Sequence, residues 1–210
     1  MTAFILALVM LINFLLLGSG RIRVLIQTAA LQGVVISTLP LVAGHGHGLR
    51  VIGLTLAALV VKGFVIPALL LRACSRLKVR REIEPAIGYV TSLLLCAIGT
   101  GFALVVGNSL PVAPGHASSL AVPASLATVF TGFLLLITRR KAITQATGYL
   151  VLENGITVFG LLMVGEVPFL VETSVLLDLV AGVFVMVMVM NHLQREFTTL
   201  DTRQLTTLRE

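Results

Sequence analysis

GYLVLENGITVFGLLMVG, residues 148–165, is apolar enough to cross a bilayer, yet it carries Glu153 near its middle. A charged group at the bilayer centre costs about 2.5 to 3.5 kcal/mol on insertion scales, so it faces a bundle interior or a water-filled path rather than lipid. The next apolar stretch, residues 169–190, repeats the pattern with Asp178. Both segments direct the search for function to the interior of a membrane.

The composition surrounding that helix agrees. Of 210 residues, 57% are hydrophobic and 11% charged, against roughly 45 to 50% and about 25% in soluble domains. Mean hydropathy is +1.06. Apolar runs of about 20 residues are the length of membrane helices and are twice that of barrel strands. The expected fold is therefore all-α, a polytopic integral membrane helix bundle. The net charge of +6 does not point to nucleic acid, because the basic residues form short clusters between apolar spans. Cys74 and Cys96 lack CxxC spacing and read as packing residues, with no iron–sulfur or zinc site. The opening MTAFILALVM has neither a basic leader nor a small-residue cleavage site and reads as a retained first span.

Seven spans are expected, at about residues 2–19, 24–43, 50–71, 87–107, 119–138, 142–164 and 169–190. Glycine, proline and basic residues punctuate them: Gly18-Ser19-Gly20 with Arg21 and Arg23, the GHGHG run 44–48, the basic loop 72–84, and Arg139-Arg140-Lys141. Three regions follow: a four-helix part (1–118), a three-helix part (119–190) and a polar tail (191–210). When alternate loops are assigned to opposite sides, one side receives 13 of the 15 lysines and arginines. By the positive-inside rule that side is cytoplasmic, with the N-terminus outside and the C-terminus inside. RIRVLIQTAALQG (21–33) and RRKAITQATGYLVLENG (139–155) share a basic turn with a glutamine four residues after its last basic residue, a faint parallel repeat.

Four ionisable residues are candidates for chemistry. Glu153 lies about 11 residues, or roughly 16 Å, from either end of its span and cannot reach the surface. It reads either as a proton-handling carboxyl or as a structural one bonded between helices, with Asn154 and Thr157 as candidate partners. Asp178 is equally deep, whereas Glu172 is only three residues inside its boundary and also fits a solvated helix end. Lys62 lies at the centre of the third span, with Pro67 five residues on promising a helix irregularity. It is suited to pair with Glu153, with Asp178 or with a neighbouring subunit, as part of a proton relay or as a static ion pair. His45 and His47 provide two imidazoles without a third ligand and read as a surface loop rather than a metal site. His116 and His192, near the membrane edges, read as solvated. No cofactor or metal motif is present in the sequence.

The order RRKAITQATGYLVLENG (139–155), VETSVLLDLVAGVFVMVMV (171–189) and TTLDTRQLTTL (198–208) resembles the component E family of hydrogenase-4 complexes. More distantly it resembles the K-type membrane subunit of respiratory complex I and the corresponding small subunit of Mrp-type cation/proton antiporters. The resemblance implies that Glu153 matches a membrane-buried glutamate of a proton-conducting axis, with Asp178 in the place of a second buried acid. It further implies a non-catalytic subunit without its own redox centre, set in a bacterial or archaeal cytoplasmic membrane. Its partners would be a hydrogenase membrane anchor and antiporter-like subunits. An Mrp-type Na⁺/H⁺ antiporter subunit and a purely structural scaffold are the alternatives.

Overall fold

The computed structural model describes residues 1–42, 49–76, 87–109 and 120–163. Among these the chain is all-helical. The helices are α1 (Thr2–Gly18), α2 (Ile22–Ser37), α3 (Leu39–Val42), α4 (Leu49–Val60), α5 (Ile66–Arg76), α6 (Tyr89–Ser109), α7 (Ala121–Thr138) and α8 (Ala142–Met163). A π turn, Val61–Val65, joins α4 to α5. Four segments are long and apolar enough to cross a membrane: Ile22–Val42, Thr55–Cys74, Tyr89–Ser109 and Ala121–Thr138. α1 is apolar but shorter, at 17 residues. The expected seventh span, with Glu172 and Asp178, lies outside the described residues, as do His45, His47, His116, His192 and the tail.

α6 shows the two faces of a membrane helix, apolar outward and small or polar inward. α6 presents Val90, Leu94, Ile98, Phe102 and Val105 outward, each more than half exposed. Its opposite face buries Ser92, Cys96, Gly99, Ala103 and Gly107 against the bundle. Small residues at helix contacts and apolar residues on the outer face are the arrangement expected where the surroundings are lipid. Several buried hydroxyls bond back to their own helices, as Thr131 does to the Ala127 carbonyl at 2.9 Å and Thr147 to that of Ile143 at 2.9 Å. In lipid such satisfaction is compulsory, since no water competes.

α7 and α8 form an antiparallel hairpin in close contact. A Cβ at Gly155 would stand 2.6 Å from the Val129 nitrogen and 3.0 Å from the Ser125 carbonyl, so no larger residue fits without separating the helices. α8 also packs on α2, and α1 packs on both α6 and α7. The main apolar core runs through α1, α2, α5 and α8, with Leu16, Leu25, Leu70 and Val151 among its fully buried members.

Both irregularities in the described spans trace to prolines. The expected single helix over residues 24–43 breaks at Thr38, whose N–H reaches the Val35 carbonyl at 3.3 Å. Pro40, two residues on, has no N–H for the Ile36 carbonyl one turn earlier. In the third span Pro67 cannot donate to Gly63, and the helix widens before it, with the Ile66 N–H bonding back five residues to the Val61 carbonyl. The irregularity expected from Pro67 thus falls on the turn that carries Lys62.

Arg139, one of the basic residues that punctuate the spans, is drawn into the bundle. It is completely buried. Its Nη2 donates to the Leu17 carbonyl at 2.9 Å, in the last turn of α1, and its guanidinium lies 5.3 Å from the Tyr89 ring centre of α6. A helix C-terminus exposes unpaired carbonyls and partial negative charge, which is where a cation is favourable. Desolvation pulls its pKa below the ordinary value, opposed in part by Tyr89, but a guanidinium this basic stays charged at neutral pH. Arg139 therefore ties α1 and α6 to the α7–α8 turn.

Candidate functional site at the bundle centre

Three elements converge on the site. The π turn projects Lys62 toward α8, where Glu153 and Asn154 occupy consecutive positions, and α2 supplies Gln32. Lys62 Nζ lies 3.0 Å from Glu153 Oε1 and donates to Asn154 Oδ1 at 3.1 Å. Lys62 is 7% exposed and Glu153 1%, so the ion pair is withdrawn from the surroundings on every side. In a low-dielectric interior such a pair stands only where geometry is good and further hydrogen bonds satisfy the remaining polar atoms. Gly33 lets the two helices meet: a Cβ there would stand 3.1 Å from Lys62 Cβ.

Those further hydrogen bonds form a continuous thread. Asn154 Nδ2 donates to Gln32 Oε1 at 3.4 Å, Gln32 Nε2 to Asn13 Oδ1 at 2.7 Å, and Asn13 Nδ2 to Thr128 Oγ1 at 3.0 Å. Thr128 in turn donates to the Ala124 carbonyl at 2.7 Å. Gln32, Asn13 and Thr128 are all fully buried. One polar line therefore crosses the apolar bundle from α8 and the π turn through α2 and α1 to α7.

Beside the ion pair lies a small cavity, lined by Ala29, Ala30 and Gly33 of α2, Ile66 and Pro67 of α5, and Leu150 of α8. Lys62, Glu153 and Asn154 form its polar wall. It leaves about 20 Å³ for the centre of a water-sized molecule, room for about one water.

Of the expected site residues, Lys62 and Glu153 are brought together, while Asp178 and Glu172 lie outside the described residues. The two candidate partners of Glu153 lie beside it on α8. Asn154 serves Lys62 and Gln32, and Thr157 donates to the Glu153 backbone carbonyl at 3.0 Å. In the sequence Asn13 and Gln32 stand out only as interruptions of their spans, and Thr128 does not stand out at all. The usable signal is that two carboxamides sit mid-span in neighbouring helices, where each needs a partner. No group of three or more metal-ligating His, Cys, Asp or Glu side chains occurs among the described residues.

Comparison with known proteins gives a relative over nearly the whole chain. The uncharacterized protein Rv0085 of Mycobacterium tuberculosis is 30% identical over 200 residues, covering 94% of this chain and 91% of that protein. This chain belongs to the Rv0085 family. Hydrogenase-4 component E of Escherichia coli K12 is 33% identical over 117 residues, as is that of Shigella flexneri. That match covers 56% of this chain and 51% of component E, so the likeness spans about half of either protein. No family model matches, and no solved structure matches. This chain thus shares partial homology with a named hydrogenase-4 component.

Proposed function

We propose that this chain is a non-catalytic membrane subunit of a complex I-related hydrogenase complex in which Glu153 and Lys62 handle protons. The observation that carries the reading is the buried Lys62–Glu153 pair at 3.0 Å, beside a cavity of water size. An acid and a base in hydrogen-bond contact interconvert between an ion pair and a neutral pair by moving one proton. A proton delivered through the cavity to Glu153 cancels the attraction that holds Lys62, which can then pass its own proton onward. Asp178, and Glu172 nearer the boundary, are the next carboxyls on this path.

The homology to hydrogenase-4 component E supports the setting. In this reading the chain has seven spans, with an outer N-terminus and a cytoplasmic C-terminus. Residues 1–118 form a four-helix part, 119–190 the three-helix part that carries both deep acids, and 191–210 the tail. It sits in the cytoplasmic membrane of a bacterium or archaeon, between a hydrogenase anchor and antiporter-like subunits. The test is Glu153→Gln in the assembled complex, with hydrogen turnover and proton movement measured together in vesicles. Loss of proton movement with the complex intact is expected, and normal pumping by the variant sinks the relay.

A scaffold role has its own supporting observation. The thread satisfies the carboxamides of Asn13, Gln32 and Asn154, as a network that fixes helix register would. On that reading Glu153→Gln and Lys62→Met lower the yield of assembled complex before they alter transport.

A further inference from the structure

The Lys62 ammonium sits where a free cation would sit. Glu153 Oε1 at 3.0 Å and Asn154 Oδ1 at 3.1 Å are both oxygens, one charged and one a carboxamide dipole. Behind them the thread is polarised in one direction. Each side chain accepts from the member nearer Lys62 and donates to the member beyond, from Asn154 to Gln32 to Asn13 to Thr128. Two ends enforce that direction. An ammonium only donates, so Asn154 must turn its oxygen toward it, and the Thr128 hydroxyl is committed to the Ala124 carbonyl, which leaves its oxygen to accept from Asn13. The dipoles of three buried carboxamides therefore all point their negative ends toward residue 62, as the groups that back the ligands of a bound ion do.

We propose that Glu153, Asn154 and the thread form a monovalent-cation site that the chain's own Lys62 ammonium fills in this structure. Lys62 thereby excludes free cations and sets the site's specificity. An ammonium is close to K⁺ in size and larger than Na⁺, and distances of 3.0 and 3.1 Å suit the larger ions without movement of the helices. Removing the lysine side chain leaves the charged oxygen, the dipoles behind it and the adjacent cavity as an entry. The proposal shares residues with the proton-handling role but not its transfer step. It is tested on the isolated full chain, so failure of proton coupling in the complex leaves it standing.

The experiment compares thermal unfolding of the purified full chain in neutral detergent, in mildly alkaline buffer, with KCl, NH₄Cl, NaCl or choline chloride at equal ionic strength. A thiol-reactive dye reads the exposure of buried Cys96 and half-buried Cys74. Wild type is expected to respond alike to all four salts. Lys62→Ala and Lys62→Met are expected to gain a rise in midpoint of about 3 °C or more in K⁺ and NH₄⁺ over choline. Na⁺ is expected to give a smaller rise, and Lys62→Ala/Glu153→Gln none. Overturning results are a K⁺-specific rise in wild type, equal midpoints of the lysine variants in K⁺ and choline, or a rise that survives in the double variant. Failure of both lysine variants to fold in K⁺ as well as in choline also overturns it, because the site would then accept no replacement cation.

Discussion

Lys62 and Arg139 are both buried cations, and the bundle receives them in different ways. Lys62, at the centre, faces a carboxylate and a carboxamide oxygen. Arg139, at the α7–α8 turn, faces the carbonyl end of α1 and a tyrosine ring. The choice of residue follows from the task. An ammonium is a compact point charge that a single carboxylate and one carboxamide oxygen can face, whereas a planar guanidinium can stack on a ring while it donates to a helix end. The chain therefore places an acid-paired cation in its interior and a clamping one at a joint between helices.

The most damaging way to break the contrast is to remove one partner of the central pair. Lys62→Met leaves a carboxyl buried without its cation and is expected to lower stability by about 3 to 5 kcal/mol in the absence of a replacement ion. Lys62→Met/Glu153→Leu is expected to lose far less. A double-mutant cycle of unfolding free energies in detergent gives the coupling directly, and a coupling near zero would mean that the pair is incidental.

Arg139→Met strands no carboxylate, so its expected loss is smaller, about 1.5 to 3 kcal/mol for one charged hydrogen bond and its ring contact. Arg139→Lys recovers part of this, since the Leu17 carbonyl needs only one donor. Full recovery by lysine would show that the planar guanidinium over Tyr89 contributes nothing.

Gln32→Leu, read by the same unfolding measurement, cuts the thread and leaves the Asn13 oxygen and the Asn154 amide without their partner. About 1 to 2 kcal/mol is expected. Smallest of all, Gly33→Ala places a methyl 3.1 Å from Lys62 Cβ. It is expected to shift the lysine slightly and cost about 1 kcal/mol. An unchanged midpoint would show that α2 and the π turn have room to part.

The membrane class, the approximate limits of the described helices and the candidacy of Lys62 and Glu153 were legible because each is written locally, in hydropathy and in isolated mid-span charges. Pro67 announced a defect for the same reason: a missing N–H is a property of one residue. The choice of Glu153 as the described partner of Lys62 was not legible, because it depends on which faces of three helices meet. The thread was hidden likewise. Asn13 and Thr128 are 115 residues apart, and only helix register brings them to 3.0 Å. The burial of Arg139 was not legible, because a basic residue in a turn has the same local signature whether it points to solvent or folds back under a helix end.

The one-way thread has a consequence for how the two ends of the site communicate. Reversing it would turn the Asn154 NH₂ group toward residue 62, which an ammonium does not tolerate. Turning any single carboxamide over would set donor against donor and acceptor against acceptor at its neighbours. The orientations of Asn154, Gln32 and Asn13 are thus not three independent variables but one, tied to the presence of positive charge on Lys62. Asn13 of α1 and Thr128 of α7 are thus oriented in step with the charge at residue 62 without touching the lysine.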